Sequence, residues 1–418
     1  MKPLLISIEP GPTHVLRAGF AGPTLQHGVG HWTEAIERFS TAWKGETLLI
    51  GNAAPEALVG ISRFRSTSTI LEDRERPIWL KARSRIVRLL DPLLAGESGS
   101  RMVQDEWDGT ASPALAELLL DEVGSHPTTT IFIPTAIPIT AETVIRNIEA
   151  LRHAAGPAGR LRLRIRFSSQ GHERRGLHPS YFALQLARWS ERAGVTDLRF
   201  GTEVESTAAR YSQESGLDVA WVPWPSEVTN CSPQRPLSGG DGTPHVYVYA
   251  SRPEQGSGQS AAIIGALRDA HQDRLRYTVQ IGSKGRSDAP KLISTLEQTP
   301  SVKVSGSGLH PAELHAQFAD ASVILLPYDV RRYKGRGSAL MWGALDHGIP
   351  LIAPAGTGFG DDIARHEIGL TYRHQREIPS LVGRILTERA RFHAAIARYQ
   401  EHRATAVRAY FGEDEQLA

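Results

Sequence analysis

The sequence predicts an α/β protein made of two Rossmann-like, doubly wound domains, and three observations carry that prediction. Short apolar runs alternate with stretches of helical period in both halves of the chain. Between Leu217 and His245 that periodicity gives way to Pro, Ser, Gly, Asn and Asp, the composition of a linker. With 418 residues, 40% of them hydrophobic, the chain can bury two cores. Alternation of strand and helix argues for parallel sheets covered by helices, and two such halves place a cleft between them. The predicted division is 1–224 for the first domain, 225–244 for the linker, 245–395 for the second domain and 396–418 for a C-terminal helix.

In the first half, Leu4 to Ile8 read as a strand, followed by a Pro/Gly-rich loop from Pro10 to Gly30. From His31, the residues Trp32, Ala35, Ile36, Phe39 and Trp43 recur at helical spacing, and Thr47 to Ile50 read as the next strand. Further strands are predicted at Thr130 to Ile133 and Leu161 to Phe167, with a helix from Ala141 to His153 between them. The run Arg160-Leu161-Arg162-Leu163-Arg164-Ile165-Arg166-Phe167 alternates perfectly, which predicts an edge strand or one whose arginines snorkel to water. The stripe Ile78, Trp79, Ala82, Ile86, Leu89, Leu90 and Leu93, flanked by Lys81, Arg83, Arg85 and Arg88, either packs on its own domain or lies on an anionic membrane; the second reading makes 78–93 a peripheral membrane contact.

After the linker the series is regular. Strands are predicted at Val246 to Ala250, Tyr277 to Ile281, Val302 to Val304, Val323 to Pro327 and Pro350 to Ala353, with helices at Ala261 to Ala270, Pro311 to Phe318 and Ser338 to His347. Ligands of such a sheet sit at the carboxyl ends of its strands. Three loops there carry chemistry. Ser251 to Ser260 joins glycines to Arg252, and Gly282-Ser283-Lys284-Gly285-Arg286 sets two cations beside two glycines. The third, Tyr328 to Ser338, holds Tyr328, Tyr333, four cations including Arg336, and Gly337-Ser338 opening a helix whose amides can receive an anion. Each is also readable as a solvated connector, and agreement among them favours a diphosphate site.

Totals bound the alternatives. Forty-seven Lys+Arg against 45 Asp+Glu give a formal charge of +2 and no global reason to expect nucleic acid. A single cysteine, Cys231, excludes an intrachain disulfide framework and fits a reducing compartment. The apolar run at the start is too brief for a signal peptide and no stretch is long enough to span a bilayer, so a cytoplasmic protein is expected. No convincing metal-ligand set is present; Asp361-Asp362 reads as helix-start carboxylates. A dinucleotide oxidoreductase lacks a Gly-rich fingerprint followed by a suitably placed acid.

With these residues in view, the stretch from Val246 to about Leu386 resembles the retaining GT-B glycosyltransferases of the large family-four type. The resemblance lies in the strand leading to Pro327-Tyr328, the Arg336-Gly337-Ser338 turn, the Ala344-Leu345-Asp346-His347-Gly348-Ile349-Pro350 stretch, and Glu313-Leu314 and Phe318 ahead of the strand. Gly28-Val29-Gly30-His31-Trp32 and Val219 to Pro225 extend it weakly to the first half. It implies a nucleotide-diphosphate sugar bound by the second domain, a glycan, lipid-linked or protein acceptor on the first, no cofactor, and a last helix crossing back. The donor side is then Gly30, Arg252, Gln255, Gly282, Lys284, Tyr328, Tyr333, Arg336, Gly337 and Ser338; His31, where the first βα loop meets the cleft, reads equally as an acceptor-side catalytic group or as structural at its helix start, and His172, in the turn after Phe167, is the second acceptor-side catalytic candidate. Two glutamates of that family align with Gly335 and Gly343, and the lysine that accompanies the first-loop arginine is replaced at Gln255 or Ser257, so a catalytically silent binding module is the rival reading.

Overall fold

The computed structural model describes residues 4–8, 38–39, 46–51, 63–66, 113–126, 128–136, 138–167, 187–188, 190–225, 242–272, 274–282, 289–306, 309 and 311–411. The helix predicted from His31 (apart from Arg38 and Phe39), the 78–93 stripe, Cys231 and most of the predicted linker lie outside them. The chain forms two units, one of residues 1–28, 35–222 and 408–418, the other of 29–34 and 223–407.

The first unit contains a seven-stranded sheet of β1 (Leu4–Ile8), β2 (Glu46–Gly51), β3 (Arg63–Ser66), β4 (Thr128–Ala136), β5 (Arg160–Phe167), β6 (Asp197–Thr202) and β7 (Val219–Trp221). Its order is β3-β2-β1-β4-β5-β6-β7, every pair parallel. Helices α1 (Pro113–Ser125), α2 (Pro138–Ala154) and α3 (Glu205–Ser215) connect the strands. In α1, Leu115, Leu119 and Val123 recur every fourth residue, so one face joins Val144 and Ile148 of α2 and Leu163 and Ile165 of β5 in a single core.

β5 corrects the sequence expectation. It is interior and paired on both sides, and beyond the exposed Arg160 its arginines turn inward: Arg164 and Arg166 are each 1% exposed. Arg164 reaches the Asp197 carboxylate at 2.8 Å and donates to the Phe411 carbonyl at 2.9 Å; Arg166 donates to the Val222 carbonyl at 2.8 Å and reaches Glu203 at 3.3 Å. Perfect alternation separates two faces, but it does not say whether the polar face meets water or other polar groups. Here the chain's last described residues cover it. A helix end leaves carbonyls without partners, and Arg164 and Arg199, which donates to Tyr410 at 3.0 Å, supply donors and complementary charge. Phe39, Phe132 and Phe411 close the same face, with ring centroids 4.9 Å apart for the first pair and 5.1 Å for Phe132 with Phe411.

The second unit holds a six-stranded sheet of β8 (His245–Ala250), β9 (Arg276–Ile281), β10 (Val302–Gly306), β11 (Val323–Leu325), β12 (Leu351–Pro354) and β13 (Gly369–Tyr372). Its order, β10-β9-β8-β11-β12-β13 with all pairs parallel, is that of the doubly wound dinucleotide-binding sheet. β11 and β12 are apolar throughout, and β8 is so after His245, because helices cover both faces. The helices are α4 (Ser260–His271), α5 (Ala289–Glu297), α6 (Pro311–Ala319), α7 (Val330–Tyr333), α8 (Ala339–Asp346), α9 (Gly358–Arg365), α10 (Ile378–Thr387) and α11 (Arg389–Phe411). The described part of the predicted 396–418 helix belongs to α11, which starts earlier, at Arg389, and continues past Val407 into the residues that group with the first unit. Of the two helix-start carboxylates, Asp361 is exposed as expected, while Asp362 is buried.

At the amino end of this sheet His245 is buried, with Nε2 2.9 Å from the Thr278 hydroxyl and Nδ1 3.2 Å from the Asp320 carbonyl. Burial lowers its pKa, against the opposing pull of Asp320. The unfolded chain therefore binds this proton first as pH falls below 6.5, and the stability present above that value is lost down to the lowered folded pKa. We expect the unfolding midpoint to drop between neutral pH and pH 5, and His245→Asn to flatten that slope; an identical slope in the variant removes His245 as its source.

Candidate functional site

The order of the second sheet reverses between β8 and β11, and the loops leaving the carboxyl ends of these strands lie where ligands of doubly wound sheets bind. After β8 the backbone makes a 3-10 turn over Pro253–Gln255, and Gly256 follows in the left-handed region with φ 84°. A Cβ there would lie 2.2 Å from the Pro327 carbonyl oxygen, so only glycine lets this loop close on the end of β11. The Asp329 amide donates to the Glu254 carbonyl at 2.9 Å and ties the two loops together.

After β11, Asp329 caps the single turn α7 by accepting the Arg332 amide at 2.9 Å. Tyr328 and Tyr333 pack with centroids 4.5 Å apart, and Phe359 meets Tyr328 edge-on at 5.3 Å. The Arg336 guanidinium lies 5.9 Å from the Tyr333 ring centroid, and only 8% of the residue is exposed. Its main chain is clasped from the β12–α9 turn: the Phe359 amide donates to the Arg336 carbonyl at 3.0 Å, and a Cβ on Gly358 would come within 2.5 Å of the Arg336 nitrogen.

Ser338 occupies the N-cap position of α8, as predicted, but its side chain makes no capping bond. Its hydroxyl instead holds down the pKa of the buried Tyr328 phenol. The amide end of α8 is therefore not closed by its own cap, and buried Ser338 joins the tyrosine cluster. Buried Gln255 acts in the same sense on the Tyr333 phenol. Burial, before any other cause, raises both phenols, with Tyr249 adding to it at Tyr328 and Glu254 at Tyr333; the Arg252 charge pulls both back. Both are neutral at physiological pH and able to donate.

The structure thus brings Arg252, Gln255, Tyr328, Tyr333, Arg336, Gly337 and Ser338 around one switch point. Gly282 stands beside it, its amide donating to the Ser251 carbonyl at 2.9 Å after β9. Gly30, His31, His172 and Lys284 lie outside the described residues. Sequence reasoning missed Gly358 and Phe359, although Thr357, which accepts the Gly360 amide at 3.0 Å, left a capping signal just ahead of them.

Gly335 and Gly343 are not open positions for carboxylates. Gly335 has φ 70°, and a Cβ on Gly343 would sit 3.1 Å from the Phe318 ring. Chemically, the site offers guanidinium charge, neutral hydroxyl donors and a helix amide end, a set suited to a compact polyanion.

No protein-family model and no curated protein matches the chain. Among solved structures it is similar to trehalose-6-phosphate synthase OtsA (12% identical, TM-score 0.52, covering 100% of this chain and 99% of that one). It is also similar to Anabaena HepE in complex with UDP and glucose (11%, TM-score 0.55, 99% of each), and to a glycosyltransferase from Rickettsia africae (9%, TM-score 0.53, 100% of this chain and 96% of that one). The similarity runs the length of the chain and agrees with the two parallel sheets: the chain has the GT-B fold, with two Rossmann-like α/β units.

Proposed function

We propose that the protein is a glycosyltransferase that moves a sugar from a nucleotide-diphosphate donor to a glycan, lipid-linked or protein acceptor in the cytoplasm, with retention of anomeric configuration. The observation that carries this reading is the convergence of Arg252, Arg336 and the α8 amide end at the switch point of the second sheet. Support comes from structures of the same fold that hold UDP-2-fluoro glucose, or UDP and glucose. In the reaction, the bond from the anomeric carbon to the diphosphate oxygen breaks and an acceptor hydroxyl oxygen bonds to that carbon. The charge developing on the departing diphosphate falls on the two guanidinium groups and the helix amides, and the acceptor's proton leaves with a phosphate oxygen or with His31 or His172. No metal is needed where arginines carry the charge.

The second reading, a binding module without turnover, is favoured by Gly335 and Gly343, where no carboxylate stands to hold sugar or ribose. Incubation with a panel of nucleotide sugars separates the two. Release of nucleoside diphosphate with a glycosylated product, identified by mass spectrometry, supports transfer; thermal stabilisation by nucleotide without product supports the module. Neither product nor stabilisation with any donor overturns both.

No described helix is long and apolar enough to cross a membrane. Among described residues, the cations Arg331, Arg332 and Lys334 beside Val330 are exposed in the loop that follows β11.

A further inference from the structure

The far end of α8 is held by groups from two other stretches of the second unit, and nothing in the proposed chemistry uses them. Asp346, in the last turn of α8, pairs with Arg403 of α11 at 2.9 Å, and Arg403 is wholly buried. The remaining donors of Arg403 go to the main chain: Nη2 to the Trp224 carbonyl at 2.7 Å, Nε to the same oxygen at 3.2 Å and Nη2 to the Pro225 carbonyl at 3.4 Å. Gln400, one turn earlier on α11, donates to the Leu345 carbonyl at 2.7 Å. The Trp224 ring stacks on Trp342 of α8, centroids 5.2 Å apart and planes 27° apart. One guanidinium therefore joins α8, α11 and the Trp224-Pro225 stretch, all through residues of the second unit.

Two physical points give this cluster a role beyond cohesion. A buried ion pair is a poor way to gain stability, since well-packed apolar residues of the same volume commonly do as well, whereas a planar fork bonded to a carboxylate and two carbonyls fixes one arrangement. The second point is distance. α8 has eight residues, about 12 Å of helix, and so is a short rod with Asp346 at one end and the Arg336-Gly337-Ser338 turn at the other. A tilt at the held end displaces the amide end that faces the anion.

We propose that Arg403 is a positioning residue for the donor site: through Asp346 and the Trp224 carbonyl it sets where α8 presents its amide end and Arg336. This rests on the donor-site reading above. The test compares the full chain with Arg403→Met/Asp346→Leu, which removes both charges without leaving an orphaned carboxylate, and with Arg403→Lys, which keeps charge but not the fork. Amide hydrogen exchange over 337–345 and the affinities of UDP, ADP, GDP and TDP by calorimetry are measured for each.

The double variant is expected to keep a cooperative unfolding transition, to exchange faster over 337–345, and to bind its preferred nucleoside diphosphate about tenfold more weakly, the scale on which supporting residues act on a site. Arg403→Lys is expected between it and the native chain. Native exchange rates and native affinity in a folded double variant overturn the proposal. If the double variant does not fold, the same measurements on Arg403→Lys decide. If the native chain binds none of the four nucleotides, the donor reading fails, while exchange over 337–345 still shows whether Arg403 sets α8.

Discussion

Gly256→Ala is expected to cost about 3 kcal/mol or more of stability and to abolish nucleotide binding with it. Two penalties act at this position. The backbone sits at φ 84°, where a Cβ alone costs about 1–2 kcal/mol. The same Cβ would fall 2.2 Å from the Pro327 carbonyl oxygen and 2.9 Å from two carbons of the proline ring. Pro327 is buried at the end of β11 and joins the strand to Tyr328, so neither side can yield cheaply. Relief requires the β8 loop to lift, which breaks the Asp329–Glu254 hydrogen bond and moves Arg252 and Gln255 away from the tyrosines. Urea unfolding with a nucleotide titration checks this; native stability and native affinity in the variant would show that the loops do not meet as described.

Arg336→Ala is expected to weaken nucleoside-diphosphate binding by about 2–3 kcal/mol, the range for a hydrogen bond to a charged group taken out of water. Its guanidinium is held by the Tyr333 face and its main chain by Phe359, so the charge is presented with little freedom. Arg332, exposed on α7, is the internal control: Arg332→Ala removes the same charge from the same loop, and screening should limit its effect to a few tenths of a kcal/mol. Calorimetric titration at two salt concentrations checks both. Equal losses for the two variants would mean that the loop acts through diffuse charge, and no loss for Arg336→Ala would remove it from the site.

Much of the second unit is legible in the sequence because its strands are interior to a parallel sheet. Val246 to Ala250 and Val323 to Leu325 are continuous apolar runs between turn signals, and that is what burial on two faces demands. β13, Gly369–Tyr372, is short and half-polar and gains its identity only by pairing with β12. β6, with Asp197 and Arg199 among its residues, is hidden in the same way, since those charges answer Arg164 and the helix-end carbonyls. α1 goes unpredicted although its every-fourth-residue stripe is plain in the sequence.

The site divides along the same line. Its cations and glycines stand out by composition, and the carboxyl ends of β8 and β11 are where such loops belong. What the residues do locally is not legible: Ser338 reads as a cap, yet it stands at the N-cap position of α8 buried and without a capping bond. Asp346 and Arg403 meet across 57 positions, and no local pattern announces such a pair.

The most direct test of the account is amide hydrogen exchange of the native chain with and without saturating nucleoside diphosphate. The account predicts that protection is gained in two separate segments, 251–259 and 335–342, and that Arg336→Ala abolishes the gain in both. Protection confined to other segments, or none in either loop at a concentration that saturates binding, would contradict it.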